Sequence, residues 1–325
     1  MADAIIAFIK DCFSPSSSSR KGYMKCTTNG DYMLLAENPP QMEGISCVYR
    51  GQLKDGVQVA VKRLKYGLFK DNAAFCSEVQ FLARFHHKNL LPLRGYCAEG
   101  KERMLVVEYM SNSSLYAHLH GDLENEKPLD WHQRMGIARG CAEGLLYLHH
   151  GAGLELVHGN FKSSNVLLTE NFEPKISDYG FLRLLNEKVA KAKTAFGYAA
   201  REDPEGEAPT KMGDTFSFGV LLLELISGKN PAEKILHGTR KLSIIEWAQQ
   251  SIMEGKLNEL VDARLNGNYS HVELEVLLNT AFLCAQLKPE DRLTMLEADG
   301  FLNSRPNKCG MVINEDERKL CNDPA

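Results

Sequence analysis

No apolar run in this sequence reaches the ~18–20 residues that a membrane-spanning helix needs, and the best stretch, Phe218 to Leu223, is cut short by Glu224. The N-terminal Ala4-Ile-Ile-Ala-Phe-Ile9 is too short for a secretory core, has no basic stretch before it and meets Lys10-Asp11 at once. The chain is therefore expected to be made in the cytosol and to stay there. Positive charge is not in excess: the formal net charge is −4, which gives no basic field for nonspecific nucleic-acid binding and discounts nucleic acid as a partner. The nine cysteines include no C-x-x-C pair and are odd in number, which suits neither a zinc site nor a disulfide framework. His86-His87, His118-x-His120 and His149-His150 lack the surrounding cysteine or carboxylate pattern of a metal site and read as core, turn or surface histidines. There is no internal repeat.

What is present is globular: 325 residues, 44% hydrophobic and 25% charged, enough for one large two-lobed domain or two ordinary ones. Residues 1–30, with the serine-rich Ser14 to Lys21, and residues 303–325 read as tails. From Val48 to Leu64 apolar and polar residues alternate around Lys54-Asp55-Gly56, the signature of two antiparallel strands. Asn72 is placed to cap a helix whose Phe75, Val79 and Leu82 form one stripe, with Glu78 beside it. Met104 to Val107 reads as a strand leading to Glu108 and Met110, and Ser111 to Ser114 then marks a lobe boundary. Beyond it the periods turn helical: Asp130 with Gln133 makes a capping-box pattern before Trp131, Met135, Ala138, Ala142 and Leu145. Thr215–Ile226 and Val272–Ala285 are further helical stretches. A β-rich first part (31–111) and a mostly helical second part (112–302) predict an α+β protein with a cleft between two lobes.

Several motifs then occur in a fixed order. Val59-Ala-Val-Lys62 is followed by Glu78, by His158-Gly-Asn160-Phe-Lys162-Ser-Ser-Asn165, by Asp178-Tyr-Gly180, by Gly197-Tyr-Ala-Ala200-Arg-Glu202, by Asp214-Thr-Phe-Ser-Phe-Gly219 and by Arg292. In this order and spacing the chain resembles the eukaryotic protein kinases over roughly residues 31–302, and Leu90-Leu-Pro-Leu-Arg-Gly-Tyr-Cys97 and Leu129-Asp-Trp131 resemble the plant receptor-like kinases, including their cytoplasmic members. The resemblance implies the two-lobed kinase fold. It also implies that Lys62 holds nucleotide phosphates with Glu78 as its helix partner, that Ala60 and Leu167 sandwich adenine, and that the backbone of Glu108 and Met110 makes the hinge contacts. Lys162 matches the Ser/Thr pattern, Asn165 and Asp178 fall at the Mg positions, and Glu202, Asp214 and Arg292 at framework positions, the arginine pairing with the glutamate.

The departures from the pattern decide the expected function. Asn160 stands where the family has the aspartate that accepts the substrate hydroxyl proton, and an amide has no useful basicity; losing a general base costs roughly 10²–10⁴ in rate. Gly159 replaces the arginine that would read a phosphorylated activation loop. The three glycines of G-x-G-x-x-G align with Gln41, Glu43 and Ser46, Pro39 and Pro40 lack N–H donors, and Arg201 replaces the proline of Ala-Pro-Glu. These features predict a pseudokinase, a scaffold, decoy or allosteric partner of an active receptor-like kinase or immune receptor. The alternative is a weak Ser/Thr kinase, or a sensor in which ATP changes lobe closure. Two readings of the cleft stay open: weak ATP and Mg binding, or a structural ion-pair network in an empty cleft. Cys12, beside Ile5, Ile6, Phe8, Ile9 and Phe13 and ahead of Arg20-Lys21, is a candidate acylation site for peripheral attachment at the inner plasma membrane; Ala2 excludes N-myristoylation.

Overall fold

The computed structural model describes residues 33–35, 41–43, 46–52, 56–65, 67–98, 101–186, 197–200 and 208–303. Cys12, Pro39, Pro40, Arg201, Glu202 and both expected tails save Asn303 lie outside them.

The alternating run expected to form a hairpin does so: β3 (Ser46–Gln52) and β4 (Gln58–Leu64) pair antiparallel from Ser46 opposite Leu64 to Gln52 opposite Gln58. With β1 (Met33–Leu35), β2 (Gln41–Glu43), β5 (Leu93–Cys97) and β6 (Met104–Glu108) they build a six-stranded sheet of order β1-β3-β4-β6-β5, with β2 also on β3. On β3, β1 ends opposite Arg50 and β2 begins opposite Val48. The sheet's core face takes Val59 and Val61 from β4, both fully buried, and the intervening Ala60 and Lys62 face the other way, as a period of two requires.

Helix α1 (Asn72–Leu82) buries the expected stripe Phe75, Val79 and Leu82. Its cap is Asp71 and not Asn72: Asp71 has extended backbone, and its carboxylate accepts the Ala74 amide at 2.9 Å, so Asn72 is already the first helical residue.

The remainder is helical, with α2 (Leu115–His120), α3 (Trp131–His150), α4 (Lys211–Ser227), α5 (Ile244–Met253), α6 (Leu257–Leu260), α7 (His271–Cys284) and α8 (Met295–Asn303). The Asp130–Gln133 capping box starts α3 as expected. α4 is apolar on all sides and is buried from Gly213 to Ser227, so it forms the axis on which α3, α5 and α7 pack. Buried charge in this part is paired: the Arg134 guanidinium donates to Asp262 at 2.7 Å and to the carbonyls of Leu129 and Leu225. Two small hairpins, β7 (Val166–Leu168) with β8 (Pro174–Ile176) and β9 (Ile235–His237) with β10 (Arg240–Leu242), complete an α+β protein. No helix among the described residues is long and apolar enough to cross a membrane.

Candidate functional site

The sheet and the helical part enclose a cleft of about 430 Å³. Ala60 and Lys62 reach it from β4, Glu108 and Met110 from the end of β6, and Asn165, Leu167 and Asp178 from the loops around β7 and β8. These positions, separated by more than a hundred residues in the chain, share one surface. Glu78, Lys162 and Asn160 do not line it.

Lys62 is not paired with Glu78 as the sequence leads one to expect. Its ammonium lies 2.6 Å from Asp178 Oδ2 and 4.7 Å above the ring of Phe181. Glu78 turns instead to Lys70, at 3.1 Å, and to Arg183, at 2.8 Å. The cause is the short 3-10 turn Phe181–Leu184, which follows Gly180 at φ +66° and brings Arg183 against α1 while Phe181 fills the space beside Lys62. Phe69 caps this packing edge-on, 5.8 Å from Phe181 and 6.3 Å from Phe75. Burial works against ionisation of Glu78, but the hydrogen bonds from Arg183 and Lys70 prevail and hold its carboxyl below the ordinary range. Sequence reasoning missed Lys70, Phe181 and Arg183; the one available signal is that Phe181 and Leu184 are apolar at helical spacing directly after Gly180.

The loop bearing Asn160 is held from beneath by Asp214 of α4. Its two carboxylate oxygens accept the backbone amides of His158 at 2.7 Å and Gly159 at 2.8 Å, and His149 Nε2 sits at 2.9 Å. His158 donates from Nε2 to the Ser177 carbonyl and accepts the Asn160 amide at Nδ1, which defines a neutral ring; its burial likewise pushes its pKa down. Asn165 donates from Nδ2 to the Asn160 carbonyl at 2.8 Å. That leaves its Oδ1 as an acceptor in the cleft that Asp178 also lines, two hard oxygens of the kind Mg²⁺ prefers. The loop's backbone is therefore in order although its central side chain is an amide. No group of three or more His, Cys, Asp or Glu placed to hold a metal occurs among the described residues.

Gly159 sits at φ +75°, and a Cβ there would fall 2.8 Å from Pro209 Cγ and 3.1 Å from Leu182 Cδ1. The place a side chain would leave from is already filled. At the edge of the sheet, Gln41 and Glu43 pair with Val48 and Ser46. Ser46 is fully buried, and its Oγ has no hydrogen-bond partner. A buried serine fits a phosphate cradle poorly, because backbone cannot approach closely past a Cβ.

Behind the loop, the Tyr198 hydroxyl donates to Glu224 Oε2 at 2.5 Å and accepts from Ser163 at 3.0 Å, and His120 Nε2 reaches Glu224 Oε1 at 2.8 Å. Burial, then the Glu224 charge, pushes the Tyr198 hydroxyl pKa well up, so it serves as a fixed donor. This network, also missed from sequence, ties residues 197–200 to α4. Arg292 is buried and donates to the carbonyls of Gln286, Met212 and Leu287, its guanidinium 4.9 Å from the Phe216 ring.

The family model described as protein tyrosine and serine/threonine kinase matches residues 44–298. A PTI1-like tyrosine-protein kinase of Arabidopsis thaliana is 41% identical over 278 residues, which are 84% of this chain and 74% of that protein. The chain spans about half or less of the longer receptor-like kinases of the same organism that it also matches. Among solved structures, the pseudokinase domain of BIR2, an immune regulator of the RLK/Pelle family, superposes with a TM-score of 0.68 at 32% identity, covering 80% of this chain and 78% of that one. The kinase domain of maize SIRK1 bound to AMP-PNP superposes with a TM-score of 0.72 at 27% identity, covering 89% and 97%.

Proposed function

We propose that this chain, which belongs to the protein tyrosine and serine/threonine kinase family, is a pseudokinase that signals by binding an active receptor-like kinase or immune receptor rather than by transferring phosphate. The observation that carries this reading is Asn160 at the centre of an otherwise well-supported loop. An amide there cannot take a proton from a substrate hydroxyl, and the hydrogen bonds at Asn160 among the described residues are made by its backbone, to His158 Nδ1 and from Asn165 Nδ2, and not by its side chain. Gly159, backed by Pro209 and Leu182, removes the charge that would read a phosphorylated segment. Structural likeness to a protein titled a pseudokinase and immune regulator supports the same output, and the cytoplasmic side of the plasma membrane is where such a partner would be met.

ATP with Mg²⁺, the family's cofactors, would supply the transferable phosphoryl group and the charge that stabilises its transfer. The residues here fit them by halves. Asn165 and Asp178 offer hard oxygens, Ala60 and Leu167 offer a flat apolar slot, and Glu108 and Met110 a hinge, whereas Lys62 is engaged by Asp178, Glu78 is engaged elsewhere and the phosphate-side hairpin has no glycine at the three aligned positions. Weak binding follows from that division. A second reading, a weakly active Ser/Thr kinase, is favoured by the retained Lys162, Asn165 and Asp178. Radiolabelled phosphate incorporation with Mg²⁺ or Mn²⁺ decides between them: wild type equal to Lys62→Met is expected, and robust Lys62-dependent transfer would overturn the pseudokinase.

A further inference from the structure

The hairpin β9–β10 lies apart from the cleft and carries no part of the function argued above. Its two strands are joined by Gly238-Thr239, with Gly238 at φ +59°. Pairing of Leu242 with Ile235 turns one face to the body of the protein, where Leu242 is buried. The opposite face holds Leu236 directly across from Lys241, with Lys234 two residues before Leu236 on the same side, while Arg240, across from His237, leaves from the other face next to the turn. Leu236 is 69% exposed, the most exposed large apolar side chain among the described residues. Lys234, Arg240 and Lys241 are all exposed, and none of them has an ion-pair partner among the described residues. The nearby acid is spent: Glu254 accepts from His237 at 3.0 Å, Gln250 at 2.7 Å and Lys256 at 2.8 Å, and these bonds hold its pKa near 2, Lys256 contributing most. Glu233, ahead of the strand, accepts from Asn230.

On a chain of net charge −4, three cations on this hairpin against the single carboxylate of Glu233, whose partner Asn230 is neutral, leave a net positive patch with one exposed leucine in it. We propose that this hairpin is a contact site for an anionic membrane surface, with Leu236 entering the headgroup region and Lys234, Arg240 and Lys241 engaging acidic lipid. Shape selects this occupant over an acidic peptide. The hairpin is a two-stranded ribbon exposed from Gly238 to Lys241, and such a ribbon can meet a planar interface without a groove. Each cation near an acidic leaflet is worth about fivefold in partition, so the three together contribute on the order of 100-fold, a modest anchor that needs a second one for stable attachment.

The test is sedimentation of the full, unacylated chain with vesicles of phosphatidylcholine alone or with 30% phosphatidylserine at ~50 mM salt, an ionic strength at which surface charge is weakly screened. Binding is expected only to the acidic vesicles, falling as salt rises. Lys234→Gln/Arg240→Gln/Lys241→Gln should lower it on the order of 100-fold and Leu236→Ser several-fold, with thermal melting unchanged because all four side chains are exposed. Failure of the wild type to sediment with acidic vesicles, equal binding by the triple variant, or retention by a poly-glutamate peptide with none by vesicles would each overturn the proposal.

Discussion

Gly159 offers the sharpest test of how far this chain has moved from catalysis. A side chain at φ +75° costs ~1–2 kcal/mol in the left-handed region, and the Cβ contacts of 2.8 Å to Pro209 and 3.1 Å to Leu182 add crowding. Overpacking of this degree costs ~1–3 kcal/mol, so Gly159→Ala should lose about 2–5 kcal/mol in all. Equilibrium urea unfolding measures it. A double-mutant cycle with Pro209→Ala separates the tightest contact, to Pro209 Cγ: that share of the crowding should be recovered, leaving the ~1–2 kcal/mol of backbone strain and the 3.1 Å contacts to Leu182 and Pro209 Cβ. Gly159→Arg should cost at least as much as Gly159→Ala, and Gly159→Arg/Asn160→Asp should remain poorly active, since the phosphate-side hairpin is unchanged. If Gly159→Ala lies within ~0.5 kcal/mol of wild type, the usual span of an uneventful surface change, the argument that the arginine's place has been filled is wrong.

Mg-ATP should raise the melting temperature slightly at millimolar concentration, and Asp178→Ala should abolish the rise; a flat response in the wild type would favour the structural-network reading of Lys62 and Asp178. Ser46→Ala should stabilise the protein by ~1 kcal/mol, because it removes a buried hydroxyl with no partner, and a loss on urea unfolding would show that the hydroxyl is satisfied after all. Arg134→Met should cost ~1–3 kcal/mol, read from the same curves, because it removes the donors to the buried carbonyls of Leu129 and Leu225 and one of the two guanidinium partners of Asp262, which keeps Arg264. The Asp262 carboxyl, opposed by burial but held down by Arg264 and Arg134, has a folded pKa below its ordinary 3.8. Its contribution is therefore complete above that value and lost as pH falls through the folded pKa, so Asp262→Asn should flatten the acid limb below about pH 4, and an unchanged limb would exclude this pair as a source of acid sensitivity.

Much of the fold was open to reading along the chain. The β3–β4 hairpin, the buried stripe of α1, the capping box of α3 and the apolar α4 all rest on local periodicity and capping, which act over a few residues and leave their mark in the sequence. The α1 cap was misplaced by one residue because Asp71 and Asn72 are both good caps, and only backbone geometry separates them. Of the residues that the motifs assign to a nucleotide and metal site, Ala60, Lys62, Glu108, Met110, Asn165, Leu167 and Asp178 line the cleft, whereas Glu78 and Lys162 do not.

By itself, then, the sequence determined the architecture and the chemical identity of each group, including the amide at Asn160 and the missing glycines, since these are properties of residue types at positions. Which charges meet was decided by tertiary structure alone. Lys62 had two acids within reach of the family pattern, and the choice of Asp178 over Glu78 depends on where Phe181 and Arg183 come to rest, more than a hundred residues away. The same holds for Tyr198 with Glu224 and for Pro209 against Gly159. Ion pairs and side-chain contacts of this kind are short-ranged, so they respond to distances of a few ångströms that no linear pattern encodes.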